Sequence, residues 1–276
     1  MAYRKKTWTF WNSVEYEITW AGRYGAKGEK RKKKQKATPD QIKRQNQWKR
    51  EKYLRRLIKA NFFPGDYWLT LKYRKGARPA LERVVKDMGN FIRRLRRQYE
   101  KYGTQLKYIY RIETGKRGGI HVHMIANRTE GGDLVIRDEW KKAGQTAGIY
   151  FTQLEEDGDY RRLAEYMVKQ PDGETEGQLE LFPEGERKKL KTYSASRNLV
   201  KPEPETKDYK RRKVRKLVEN GPEAQKGYYI DKNTVRTGVN PVTGYSYCHY
   251  TEFRLPENRR NTLYGRHYTD TGGGGG

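Results

Sequence analysis

The amino-acid sequence predicts an α+β fold built around an antiparallel sheet, and three observations carry that prediction. Between residues 65 and 170, short runs typical of strands alternate with runs at helical spacing. Their order is strand, helix, strand, strand, helix, strand, with one further helix at the end. The middle two strands flank the short loop TGKRGG, which is typical of a β-hairpin.

The predicted elements, in chain order, are a strand at 66–73, a helix at 81–99, hairpin strands at 106–113 and 120–127, a short helix around Trp140, a strand at 149–155 and a helix at 159–170. This order is the ferredoxin-like, or RNA-recognition-like, βαββαβ arrangement, with one additional helix. In that arrangement the first and third strands lie at the centre of the sheet. Gly103 is expected to end the first helix and Asp159 to cap the last one.

Extensions rich in lysine and arginine flank this core, and they suggest three parts. Residues 1–60 form a basic N-terminal extension with a strand-like segment, a basic arm and a helix, for which Thr38, Pro39 and Gln41 form a capping box. A functional domain follows at 61–256, with its core at 65–170 and a hairpin around NPVTG near its end. Residues 257–276 are expected to be a flexible tail.

The charge balance identifies the class of partner. The 276 residues include 61 Lys and Arg against 34 Asp and Glu, a net charge of +27. A chain this basic is expected to bind a polyanion, with nucleic acid as the first candidate. The single cysteine, Cys248, excludes an internal disulfide and a CxxC zinc site. With no apolar run of about 18 residues and no signal-peptide pattern, a soluble, cytoplasmic protein that does not engage membranes is expected.

The third strand, IHVHMIAN, carries two of the four histidines. His121 and His123 share one face because side chains alternate along a strand, and a hairpin centred on Arg117 would place Glu113 across from His121 on that face. The residues between the histidines face a core. Two imidazoles and a carboxylate together favour a divalent metal site. In a chain expected to act on phosphate oxygens, Mg²⁺ or Mn²⁺ is favoured over Zn²⁺.

A nucleophile is expected in the last helix. No Ser/His/Asp pattern is present, and helical spacing places Tyr160 on the buried stripe of that helix but Tyr166 off it. Lys169 follows three residues later on the same side, where it could prepare Tyr166 for deprotonation or neutralise phosphate charge. Tyr160 is therefore assigned to packing.

Several basic and polar segments are candidate DNA contacts. Lys32, Lys33 and Lys34 lie in the N-terminal arm, and Arg211 and Arg212 lie in a basic run expected to be helical. Ser196, Arg197 and Asn198 lie in SASRNL, which an ordinary polar loop would explain equally well. The arginines at 93–97 are expected to form a plain solvated helix face.

Three motifs in order, YWLTLKY, HVH and YMVK, resemble those of the HUH endonucleases, specifically the single-tyrosine rolling-circle replication initiators (Rep proteins) of bacterial plasmids and phage-like elements. The resemblance implies that Glu113, His121 and His123 hold the metal and that Tyr166 attacks a phosphate of single-stranded origin DNA. It also implies a covalent 5′-phosphotyrosine link and a free 3′-OH for a host polymerase. The origin is often exposed in a hairpin in this family. No GxxxxGK[ST] motif is present, so a host helicase is expected.

Two alternatives remain. A mobilisation relaxase or a single-tyrosine transposase of the same superfamily would use the same metal, tyrosine and 5′-linked intermediate. A non-catalytic RNA- or DNA-binding module would share the ferredoxin-like sheet and stack bases on it. Dependence on metal distinguishes the binding module from the enzymes.

Overall fold

The computed structural model describes residues 3–22, 36–115, 119–143, 146–155, 158–169, 192–209, 214–241 and 243–256. The chain divides into two compact units. The first unit comprises Met1–Asn46 and Pro202–Gly276, and the second comprises Gln47–Lys201. The boundaries expected from the sequence do not coincide with this division, so the predicted domain assignment stays a prediction. The tail at 257–276 lies outside the described residues.

Strands and helices alternate through the second unit and strands dominate the first. The strands are β1 (Tyr3–Thr9), β2 (Ser13–Trp20), β3 (Tyr67–Tyr73), β4 (Tyr108–Thr114), β5 (Ile120–Ala126), β6 (Thr146–Gln153), β7 (Ser194–Ala195), β8 (Glu205–Tyr209), β9 (Tyr228–Ile230), β10 (Arg236–Val239) and β11 (Ser246–Arg254). The α-helices are α1 (Pro39–Asn61), α2 (Leu81–Lys101), α3 (Gly132–Lys141), α4 (Arg161–Val168) and α5 (Val214–Asn220).

The sheet of the second unit confirms the predicted α+β class. Its strand order is β6-β3-β5-β4-β7, and each pairing between neighbours is antiparallel. The predicted first and third strands, β3 and β5, lie next to each other at the centre. Helix α2 follows β3 and α3 follows β5, as the βαββαβ order requires. The two-residue strand β7 extends the sheet beyond β4.

Helices cover both faces of this sheet. On one face, Val122 and Met124 pack with the apolar stripe of α2 and with Trp140 of α3. On the histidine face, Ile125 packs with α1 and with Met167 of α4. We expected that face to be solvated, and this expectation was wrong over the part where α1 and α4 bury their own apolar stripes. An open sheet of the kind that binds RNA is therefore limited to the remaining part of the face.

The ends of the helices test the predicted caps. Thr38 and Gln41 exchange the two hydrogen bonds of a capping box, N–H of Thr38 to Oε1 of Gln41 at 3.0 Å and N–H of Gln41 to Oγ1 of Thr38 at 3.3 Å. Gly103 adopts a φ of +65° after α2, as predicted for a helix end. The predicted cap at Asp159 is wrong, because α4 begins at Arg161 after Tyr160, whose φ is +52°. The buried Tyr160 side chain holds that turn in place.

The first unit contains an antiparallel sheet of its own, in the order β10-β11-β2-β1-β8, with β9 paired to β11. The N-terminal segment does form two strands. The predicted hairpin around NPVTG is confirmed as β10 and β11, and β11 pairs with β2. Leu217 and Val218 of α5 pack against the core of this sheet, which includes the buried Cys248. No helix in the described parts of the chain is long and apolar enough to cross a membrane.

Candidate active site

The hairpin of β4 and β5 positions the histidines and the carboxylate as the sequence predicts. Glu113 is the register partner of His121, and Arg111 is the partner of His123. Directly opposed residues of an antiparallel pair share a face, so these four side chains lie together. Residues 116–118 of the connecting loop lie outside the described residues.

Tyr166 reaches this cluster from α4. Its hydroxyl donates a hydrogen bond to Oε2 of Glu113 at 2.6 Å and lies 2.7 Å from Nε2 of His123. Oε2 of Glu113 and Nε2 of His123 are themselves 3.1 Å apart. The Tyr166 side chain stays 38% exposed, so a large substrate can reach its ring from solvent. Residues far apart in the sequence thus converge on one oxygen atom.

The other edge of the His123 ring is held by β3. Oγ1 of Thr70 lies 3.2 Å from Nδ1 of His123, and the Trp68 ring stacks on the imidazole with centroids 5.5 Å apart. Because the single hydroxyl proton of Tyr166 goes to Glu113, a neutral His123 satisfies every contact when Nε2 carries its proton and Thr70 donates to Nδ1. The strand β3 therefore fixes both the plane and the tautomer of this imidazole.

The cluster shifts the ionisation of its members in opposite directions. The hydrogen bond from His123 is the main reason that the pKa of Glu113 falls to about 2, against the opposing effect of burial. Burial, followed by the hydrogen bond to the Glu113 carboxylate, raises the pKa of Tyr166 above its ordinary value. Tyr166 is thus a neutral phenol in this arrangement. A positive charge near its oxygen is needed before it becomes a strong nucleophile.

The predicted metal ligands are close together, but they do not form a complete coordination group. Within the described ranges, no set of three or more His, Cys, Asp and Glu side chains is arranged to hold a metal ion. Nδ1 of His121 is buried and has no hydrogen-bond partner there, which is the state of a nitrogen with capacity for a ligand. Two imidazoles and one carboxylate on one face are a donor set that suits Mn²⁺ or Mg²⁺. The metal site stays a prediction whose residues fit.

Arg111 is a member of the site that the sequence did not single out. Its Nη1 donates to the backbone carbonyl of Tyr166 at 2.8 Å, which ties β4 to the end of α4. Its positive charge also lowers the pKa values of both Glu113 and Tyr166. The signal was present in the sequence, because strand alternation places Arg111 on the same face as Glu113.

Lys169 lies at the end of α4 and is exposed. The helix stops at Val168, and the ψ of Lys169 is 125°, so helical spacing does not determine where its side chain points. Its backbone N–H donates to the carbonyl of Tyr166 at 3.4 Å. Its assignment as a catalytic residue stays a prediction.

Two of the predicted DNA contacts have a structural role. Ser196 is buried, and its Oγ accepts a hydrogen bond from the backbone N–H of Tyr108 at 3.1 Å. Asn198 donates to the carbonyl of Leu106 at 3.2 Å, while Arg197 is exposed. The segment SASRNL is thus attached to the edge of β4, and its contact with DNA stays a prediction. The remaining predicted contacts lie outside the described residues: Lys32, Lys33, Lys34, Arg211 and Arg212.

The segment that contains this site can be compared with known protein families. Residues 66–171 match the family model for replication-associated proteins of the ORF2 type. The matched segment is less than half of the chain, and it contains all the residues of the cluster around Tyr166. The match supports the replication-initiator part of the resemblance seen in the sequence. No curated protein and no solved structure matches the chain in the corresponding comparisons.

Proposed function

We propose that the chain is a metal-dependent single-stranded DNA endonuclease and strand transferase, with Tyr166 as its nucleophile. In this proposal it nicks a replication origin and initiates rolling-circle replication. The observation that carries the proposal is the convergence of the Tyr166 hydroxyl on Glu113 and His123, 2.6 and 2.7 Å away. The family match of residues 66–171 supports the choice of DNA replication as the process.

The proposed reaction is a transesterification at one phosphodiester. The Tyr166 oxygen attacks the phosphorus, the bond from phosphorus to the 3′ oxygen breaks, and the DNA 5′ end becomes linked to the tyrosine. The phenol proton leaves along its hydrogen bond to Glu113, and the departing 3′ oxygen takes up a proton from solvent. A host polymerase could then extend the free 3′-OH.

The cations of the site address the charge problem of this reaction. Glu113, His121 and His123 would hold Mn²⁺ or Mg²⁺, which when bound supplies positive charge for the scissile phosphate. Arg111 is placed to stabilise negative charge beside Tyr166, because its guanidinium is already fixed to the Tyr166 carbonyl. Lys169 would contribute a further cation at the end of α4.

A covalent adduct assay tests this proposal. The protein is incubated with a randomised single-stranded DNA pool and Mn²⁺, and the products are separated on a denaturing gel. We expect a band that survives SDS, carries a 3′ label but no 5′ label, and disappears with EDTA or in Tyr166→Phe. Tyr160→Phe is the matched control, because Tyr160 is buried in packing and the adduct should persist. An adduct that survives Tyr166→Phe, or no metal-dependent adduct from the folded protein, would contradict the proposal.

A further inference from the structure

The open part of the histidine face continues from the tyrosine site toward the edge of the sheet. Across the strands, His123 of β5 is paired with Thr70 of β3, and Thr70 is paired with Tyr150 of β6. The next row pairs His121 with Lys72. Because paired residues share a face, Tyr150 and Lys72 lie on the same surface as the two histidines. Neighbouring strands are about 4.8 Å apart, so Tyr150 lies about 10 Å from His123.

Tyr150 is unusual for its exposure. At 64% exposed, it is the most exposed large hydrophobic side chain among the described residues. It lies on β6, the strand at the edge of the sheet. Its ring therefore contributes little to the core, and one of its faces is open to an aromatic partner.

Lys72 adds a cation to this aromatic surface. Its Nζ lies 4.1 Å from the centre of the Tyr150 ring. The backbone beneath it is fixed, because the indole N–H of Trp140 donates to the Lys72 carbonyl at 3.2 Å. An exposed aromatic ring with an ammonium group beside it is the combination that single-stranded DNA requires, since bases stack on the ring and phosphates pair with the cation.

We propose that Tyr150 and Lys72 form a nucleotide-binding subsite that holds single-stranded DNA next to the cleaved phosphate. This inference rests on the proposed function and names how the substrate strand approaches. A base of the strand stacks on the open face of Tyr150, and a neighbouring phosphate pairs with Lys72. The row of paired residues then leads the strand across Thr70 to His123 and Tyr166.

The stacking contact is measured without cleavage. Fluorescence anisotropy records the binding of a short oligothymidylate, about a dozen nucleotides long, to the full chain in EDTA. About 0.2 M salt limits binding by the basic segments elsewhere. Since stacking on one aromatic residue contributes about 1–3 kcal/mol, Tyr150→Ala should weaken binding about five- to 150-fold. Tyr150→Phe keeps the ring and should bind normally. Tyr102→Ala is the matched control, an exposed tyrosine outside the sheet.

The phosphate contact has its own measure. Lys72→Gln should lower the slope of log affinity against log salt by about 0.7, the value for one phosphate contact of a single strand. An unchanged slope would remove Lys72 from the subsite.

Crosslinking fixes the location. With 5-iodouracil in the oligonucleotide, ultraviolet light should attach DNA to the peptide that contains Tyr150, as mass spectrometry can show. Unchanged affinity of Tyr150→Ala, crosslinks only elsewhere, or no binding of oligothymidylate by the wild type would each overturn the subsite. The adduct assay is independent of these results: an adduct that forms while Tyr150→Ala binds normally refutes the subsite alone.

Discussion

Replacing Thr70 with valine tests whether β3 positions the imidazole of the proposed nuclease. Valine keeps the size and β-branching of threonine, so the strand is preserved while the hydrogen bond to Nδ1 of His123 is lost. His123 is only 8% exposed, which limits the access of water as a replacement partner. The imidazole then loses the contact that selects its tautomer.

The expected size follows from the geometry of this contact. Loss of the group that orients a metal-binding histidine typically lowers metal affinity or activity about 10- to 100-fold. The bond of 3.2 Å is at the long end of the usual range, so we expect the lower limit. Thr70→Val should therefore form the covalent adduct about tenfold more slowly, equivalent to about 1.4 kcal/mol in the activation free energy.

The assay is the single-turnover rate of adduct formation with a 3′-labelled cleavable oligonucleotide over a range of Mn²⁺ concentrations. Thr152→Val is the matched control, because Thr152 is exposed on β6 and pairs with Trp68 on the same face. Thr70→Ser restores the hydroxyl and should recover most of the rate. A Thr70→Val rate equal to that of Thr152→Val, or no recovery in Thr70→Ser, would refute the positioning role.

Two further predictions concern charged side chains. Arg111→Gln should slow adduct formation about tenfold, since a hydrogen bond from a charged group is worth about 1.5–3 kcal/mol, whereas a rate equal to wild type would exclude a role for its charge beside Tyr166. Arg94→Met should lower the free energy of urea unfolding at neutral pH by about 2 kcal/mol, because Nε of Arg94 lies 2.8 Å from the buried Glu139 carboxylate. Burial raises the pKa of Glu139, but hydrogen bonds from Lys142 and Arg94 outweigh it and lower the pKa. The stabilisation is therefore present above the unfolded pKa of about 4.3 and is lost as the pH falls through the lower folded value, so the difference between Arg94→Met and wild type should shrink in acid and not grow.

The sequence by itself determined the local elements and the faces of the site strands. Alternation along β5 and the short hairpin loop were sufficient to pair Glu113 with His121, because register within a hairpin depends on residues close in the chain. The capping box at Thr38 was equally local. Helical spacing also separated the buried Tyr160 from the exposed Tyr166.

Only the tertiary structure decided which distant groups meet at Tyr166. Helix α4 lies on the histidine face because Met167 and Ala164 bury themselves with Ile125, and this packing brings the Tyr166 hydroxyl to Glu113. The packing involves residues about 40 positions apart, and no local pattern specifies it. The contact of Arg94 with Glu139 of α3 has the same origin, and it shows that a helix face expected to be simply solvated holds a buried carboxylate in place.

The same reasoning applies to the strand at the edge of the sheet. The sequence predicted a strand around Tyr150, but its neighbour across the sheet is β3, almost 80 residues away in the chain. Hydrogen bonding between strands distant in sequence set the row from Tyr150 through Thr70 to His123. Local propensity therefore defined the elements of this protein, whereas long-range strand pairing and helix packing assembled the surface on which a DNA strand is proposed to lie.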